Sequence, residues 1–331
     1  MNTDQYDHYQ QQFDPDWRHE TPRRKPRKAR TPKKSEQQII QALADETIGL
    51  EGGFNTTYTP ARYEAGFLRD STRPFFDQEL VTDILAQVKG GKEASVYRCA
   101  AHELTGKKLL AAKVYRPRQF RNLRNDKMYR EGRNILKADG RSAKKNDHRL
   151  MRALNKKSNF GVQVSHTSWL MHEFQTLYQL HKAGASVPEP IATSDNAILM
   201  DYVGDERRAA PTLNEIGLAS GEAEALFHKV IHNITLMLER GWIHGDLSAY
   251  NILYWEGEIT LIDFPQVADC AGNSQAHFIL QRDVTRVCEY FASQGVRCDP
   301  QSIARQLWAH FSPLDEHDRL ADWSRQEYDE A

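Results

Sequence analysis

Three oxygen-bearing side chains at fixed short spacing constrain this chain more than any other feature. They lie in His244-Gly245-Asp246-Leu247-Ser248-Ala249-Tyr250-Asn251 and in Ile262-Asp263-Phe264. Asn251 follows Asp246 by five residues, and Asp263 comes after two short apolar runs, Ile252–Tyr254 and Ile259–Ile262, that read as strands. Phosphoryl transfer needs one carboxylate near the acceptor hydroxyl and further oxygen ligands for Mg2+ on the nucleotide phosphates. Asp246, Asn251 and Asp263 meet that need. The fold must therefore bring a loop and the end of a later strand to one centre.

The spacing matches the catalytic loop and metal-binding Asp of protein kinases, with Gly245 where most of them have Arg. The upstream partners are present as well. Lys113 lies in the strand Leu109-Leu-Ala-Ala-Lys-Val-Tyr115, at the position whose ammonium holds the α and β phosphates, and a Glu on the following helix should orient it. Glu173, on the amphipathic stretch from Trp169 to Leu180, is the candidate. Before that strand comes a Gly-rich turn, Lys89-Gly-Gly-Lys-Glu-Ala-Ser-Val-Tyr97, which is neither GxGxxG nor the Walker sequence. Its position makes Gly91, Lys92, Ser95 and Val96 candidates for the nucleotide, through backbone amides and the Ser95 hydroxyl. Fewer than twenty residues separate Asp263 from Arg282-Asp283, with no Ala-Pro-Glu among them, so the peptide-docking activation segment of ordinary protein kinases has no room. That predicts self-directed or restricted phosphorylation, or a conformational ATPase.

Charge is distributed unevenly. Of 331 residues, 44 Lys+Arg against 45 Asp+Glu give a net charge of −1. Yet residues 18–34 hold nine basic side chains and one acid, and residues 116–157 hold fifteen and four, so these two segments carry +19 and the remainder −20. Such asymmetry predicts a polyanionic partner, RNA or a ribosomal subunit, held through 18–34 and 116–157. Within the second segment Arg118, Arg121, Arg124, Lys127, Arg130 and Arg133 recur every three residues, a positive band winding round a helix axis. The four cysteines are scattered without a CxxC pair, which implies neither a disulfide framework nor a zinc ribbon. His228 and His232 form HxxxH, but Lys229 stands where a zincin carries Glu, so they are expected to be structural. With no apolar run long enough to span a bilayer and no secretion signal in the first 35 residues, the expectation is a cytoplasmic protein with no membrane partner.

Along the chain, 1–35 reads as a disordered basic arm and 36–83 as a helical extension; Phe67, Leu68, Phe75, Phe76, Leu80, Ile84 and Leu85 recur at near-helical spacing, and Ile84–Val88 reads as the first strand, ahead of the Gly-rich turn. Residues 84–203 form a β-rich lobe that includes the basic flexible loop 116–157. Residues 204–312 form a mainly helical lobe, with a long helix at 222–240 and helices over 276–311, and 313–331 an acidic tail. The fold class is α+β, two-lobed and protein-kinase-like, without a conventional activation segment.

The residues taken together resemble the RIO family of atypical protein kinases, and within it the RIO1 type. The matching stretches are Leu68–Arg73, Gly91–Tyr97, Trp169 with Glu173, Val187–Ile191, Met200–Gly204, Ala210-Pro211, His244–Asn251, Ile262-Asp263 with Gln266, and Arg282-Asp283, one collinear series over roughly residues 62–312. The resemblance implies ATP with Mg2+, Mn2+ as a substitute, and serine autophosphorylation or an unknown protein substrate. It implies Asp246 as the catalytic Asp, Asn251 and Asp263 as metal ligands, and Asp263 as an acceptor that forms an aspartyl-phosphate in an ATPase-like cycle. It places the adenine on the backbone of Asp201 and Val203. Lys89-Gly90 replaces the family's Ser-Thr, and Ala249 stands where an acid is common. Two other classes fit part of the pattern: a small-molecule phosphotransferase of the aminoglycoside-kinase kind, which shares His-Gly-Asp, and an RNA-binding module switched by nucleotide. Against the former stand Gly91–Tyr97 and the basic insert between Lys113 and Glu173. Against the latter stands the retained set Lys113, Asp246, Asn251 and Asp263.

Overall fold

The computed structural model describes residues 56–311, apart from 92, 117–130, 132–134, 138–139, 141, 144–151, 153–155, 157–158 and 220. The basic arm, the acidic tail, the arginine band of 118–133 and Lys92 lie outside the described residues.

Strands β1 (Val81–Gly90), β2 (Ala94–Ala101), β3 (Leu109–Tyr115), β4 (Pro190–Thr193) and β5 (Ala197–Asp201) form one antiparallel sheet in the order β1-β2-β3-β5-β4. Side chains alternate across a strand, and β3 uses both faces. Leu110, Ala112 and Val114 pack with Leu68 and Phe75 of helix α1 (Arg62–Asp77) and with Tyr97 and Cys99. Ala111 and Tyr115 instead pack with Trp169, Leu170, Leu177 and Leu180 of helix α2 (Asn159–Lys182). Lys113 shares this second face, so its placement between sheet and α2 follows from the period of two. Each large apolar side chain taken from water here contributes about 1.5–3 kcal/mol.

The second lobe holds α3 (Glu222–Leu238), α4 (Ala276–Ser293) and α5 (Pro300–Phe311). It adds two small antiparallel pairs, β6 (Trp242–Ile243) with β9 (Ala268–Asp269) and β7 (Ile252–Trp255) with β8 (Glu258–Leu261). Leu226, Phe227, Val230, Ile234 and Met237 form the buried stripe of α3 at helical spacing, with Phe227 edge-on to Phe291 of α4 at 5.4 Å. The core of this lobe runs without a break into the α2 face of the sheet. The lobes therefore share one apolar interior behind the cleft.

Two boundaries differ from the sequence expectation. The helical extension is expected to run to residue 83 and the first strand to start at Ile84, but α1 stops at Asp77, Glu79 turns with φ 55°, and β1 already begins at Val81. Sheet pairing beginning at Val81↔Ala101 wins over local periodicity. Helix α2 begins ten residues earlier than Trp169, and its first half is tied down by polar contacts: His166 to Asn196 at 2.8 Å, and Ser168 accepting the Leu136 N–H at 2.9 Å. Among the described residues no helix is long and apolar enough to cross a membrane.

Candidate active site

The upper half of the site is built by β3 and α2. Lys113 is 9% exposed, and its Nζ lies 2.6 Å from Glu173 Oε1 and 2.5 Å from Asp263 Oδ1. Tyr115, two residues on and hence on the same face, donates its hydroxyl to the other oxygen of Glu173. Its ring stands edge-on to Trp169 at 4.6 Å. Burial works against the Lys113 charge, but the carboxylates of Asp263 and Glu173 outweigh it and hold the ammonium's pKa well above the ordinary range. For the part-buried Asp263 desolvation opposes ionisation, and Lys113 overcomes it, so the carboxyl sits below its usual value. Burial and then the Glu173 charge push the Tyr115 phenol well up, which keeps it a donor.

The lower half hangs on the loop between β6 and β7. Gly245 has φ 86°, and a Cβ there would run into the backbone carbonyl of Gln266, so the position usually filled by Arg has no room for a side chain. Both backbone groups of Gly245 are held by α4: its N–H donates to Asp283 Oδ2 at 2.7 Å, and its carbonyl accepts from Arg282. Asn251 Nδ2 donates to the Asp246 carbonyl at 2.8 Å and lies 3.3 Å from Asp246 Oδ2. The Ile262 N–H donates to the Asn251 carbonyl at 3.0 Å, which brings the end of β8 beside the loop. There Asp263 adopts φ 71°, left-handed backbone that Asp tolerates better than most residues. The turn leaves the Asp263 side chain 42% exposed at the cleft, while Phe264 enters the core beside His244 at 4.6 Å. His244 Nε2 is 3.1 Å from the Ile262 carbonyl and fixes the same junction.

This donor set suits a hard cation. Asn251 donates its amide nitrogen to Asp246 and keeps its amide oxygen as a possible ligand atom, and the Asp263 side chain, with Oδ1 on Lys113, is 42% exposed. Among the described residues no group of three His, Cys, Asp or Glu could hold a metal by itself. Mg2+ fits such a site, because it keeps waters and phosphate oxygens as its remaining ligands.

The other candidates are placed as follows. Val96 is paired directly with Lys113 and shares its cleft face. Ser95 is paired with Val114, is 1% exposed and faces the α1 side, so the structure does not bring its hydroxyl to the cleft; strand alternation decides this against the sequence expectation. The Gly91 N–H closes the turn on the Ala94 carbonyl at 2.9 Å. Asp201 ends β5 with its carboxylate on Lys107 at 2.5 Å, away from Lys113, and the Val203 carbonyl accepts the Ala210 N–H at 3.0 Å. Between Asp263 and the start of α4 lie only β9 and a turn in which Asp269 Oδ1 accepts from the Ala271 and Gly272 N–H groups. No long segment follows Asp263 before α4.

Sequence reasoning passed over two contributors. Arg286 donates to Asp246 Oδ1 at 2.9 Å, and its helical spacing from Arg282 and Asp283 was the available signal. Tyr115 was signalled by its two-residue step from Lys113.

A family model described as the RIO domain matches residues 95–303. The serine/threonine-protein kinase RIO1 of Chaetomium thermophilum is 29% identical over 231 residues, which are 66% of this chain and 41% of that protein. The RIO-type serine/threonine-protein kinase Rio1 of Thermoplasma acidophilum is 30% identical over 139 residues, covering 42% of this chain and 72% of that protein. This chain thus spans less than half the length of the fungal relative. The solved Rio2 kinase–ADP/Mg2+–phosphoaspartate complex from Chaetomium thermophilum is 18% identical with a TM-score of 0.49, covering 88% of this chain and 85% of that chain. The matched span runs from the start of β2 into α5 and holds every polar residue of both halves of the site, and the chain belongs to the RIO family.

Proposed function

We propose that this chain is an ATP-dependent serine/threonine protein kinase that phosphorylates itself or a restricted partner. The observation that supports it most is the Lys113 ammonium held between Glu173 and Asp263, with Asp263 joined through Ile262 and Asn251 to the loop that carries Asp246. Lys113 would meet the α and β phosphates of ATP while Glu173, fixed by Tyr115, keeps its ammonium aimed at the cleft. Asp246 would accept a hydrogen bond from the acceptor hydroxyl and orient it toward the γ-phosphorus. Asn251 and Asp263 would hold Mg2+, or Mn2+ in its place, which supplies neutralisation of the phosphate charge. The backbone of Asp201 and Val203 would face the adenine.

Asp263 offers a second acceptor. Its carboxylate oxygen would bond to the γ-phosphorus as the bond to the β–γ bridging oxygen breaks. ADP leaves, and water later hydrolyses the acyl phosphate, giving net ATPase activity. The short connection from Asp263 to α4 supports self-directed transfer, because it offers little surface on which to dock a peptide. The basic segments 18–34 and 116–157 favour a ribosomal subunit or RNA as partner.

Incubation with ATP labelled on the γ-phosphate and Mg2+ tests the proposal. Label on the protein as acid-stable phosphoserine, with a hydroxylamine-sensitive fraction for Asp263, is the expected result. Label found only on an added aminoglycoside or sugar would refute it.

A further inference from the structure

Arg286 is a buried cation that reaches the Asp246 carboxylate, and the proposed phosphoryl transfer gives it no task. It projects from α4 one turn beyond Arg282 and three residues beyond Asp283, the pair that grips the backbone of Gly245. Its side chain is 7% exposed and that of Asp246 16%, with Nη1 to Oδ1 at 2.9 Å. Oδ1 is taken by a guanidinium rooted in the core, and Oδ2 lies toward Asn251 at 3.3 Å.

We infer that Arg286 is a positioning residue for hydroxyl acceptors: by pinning Oδ1 of Asp246 it fixes the orientation of the carboxylate that an acceptor hydroxyl would meet. Release of Asp246 during turnover is disfavoured, because it would strand a buried guanidinium and a carboxylate without their shared bond. The pair therefore stays closed and acts as a mount. Three residues of one helix, Arg282, Asp283 and Arg286, then set both the backbone and the side-chain orientation of the loop. The nucleotide half is separate, since Lys113, Glu173 and Tyr115 come from β3 and α2. Loss of Arg286 should therefore slow transfer to hydroxyls without weakening nucleotide binding.

This inference rests on the proposed phosphoryl transfer from ATP, and one experiment separates the two. Phosphoserine formation at saturating ATP and the Kd for ATP with Mg2+ are measured on the full chain, together with Tm, for wild type and R286K, R286Q and R286M. The expected rate order is wild type, Lys, Gln, Met, with R286M down about 100-fold, the scale of a misplaced catalytic group, and R286K within about tenfold of wild type because it keeps a charged donor. The Kd should stay within about threefold throughout, as expected when only transition-state interactions are lost. Wild-type rates in folded R286Q and R286M, or a Kd that rises in step with the fall in rate, would overturn the assignment. Should R286M fail to fold, the order of R286K and R286Q decides by the same criteria. No label in wild type would instead refute the phosphoryl-transfer reading itself.

Discussion

The two halves of the site are held in opposite ways. Around Lys113, four polar groups from β3, α2 and the end of β8 are joined by charge, and one of them, Asp263, lies at the exposed edge of the cleft. Around Asp246, helix α4 grips both the backbone, through Gly245, and the carboxylate, through Arg286, while Asn251 of the same loop holds the Asp246 carbonyl. A cluster of charges from separate elements can exchange one partner for another when phosphates enter, because each contact is electrostatic and replaceable. A loop gripped through its own backbone by helix α4 has less such freedom. The contrast assigns ligand response to the upper half and fixed geometry to the lower.

The largest effect should come from breaking the lower half at its centre. Asp246→Ala should reduce phosphoserine formation by about 10²–10⁴-fold, the range for loss of a positioned acid–base group, as read from initial rates with labelled ATP. Gly245→Ala should follow, lowering stability by about 1–3 kcal/mol because its Cβ meets the Gln266 carbonyl at a left-handed φ. A thermal scan reads that loss. Tyr115→Phe sharpens the account of the upper half: one hydrogen bond to a charged acceptor, about 1.5–3 kcal/mol, is removed with the ring packing kept. It should raise the Kd for ATP and leave the loop's share of the rate unchanged. Smallest is Lys107→Met, on the outer side of β3 and β5.

Lys107 pairs with Asp201 and with Glu189 at 2.7 Å, but these side chains are 30–41% exposed and the loss should stay under about 1 kcal/mol. Burial opposes the Lys107 charge and its carboxylate partners raise its pKa, while Lys107 lowers that of Glu189. Because the Glu189 value is depressed on folding, its share is present above the ordinary Glu range near about 4.3 and disappears as pH falls through the lowered value. The stability gap between wild type and Lys107→Met should therefore be level from about pH 5 upward through neutrality and close in acid. A gap that widened on acidification would contradict the sign.

What could be read in the sequence follows the same division. The junction of Asp246, Asn251 and Asp263 was legible because it is local, a loop and a hairpin with fixed spacing. Lys113 and Glu173, sixty residues apart, were legible because a strand and a helix each carry a periodic apolar pattern that aims one polar position. Arg286 was not, because helical spacing says which residues share a side of α4 but not that this side lies under the loop. Ser95 failed for the converse reason: its hydroxyl suits phosphate, yet register with Val114 turns it to the α1 face. The start of β1 was hidden by Leu80, whose near-helical spacing with Ile84 is outweighed by pairing with β2 that begins at Val81↔Ala101.

Equilibrium binding of ATP with Mg2+ to Lys113→Met and Asp246→Ala, beside wild type, tests the division most directly. The account predicts that Lys113→Met loses affinity by at least about tenfold, equivalent to about 1.4 kcal/mol, while Asp246→Ala binds as wild type does and only fails to transfer. Equal loss of binding in both folded variants, or unimpaired binding by Lys113→Met, would contradict it.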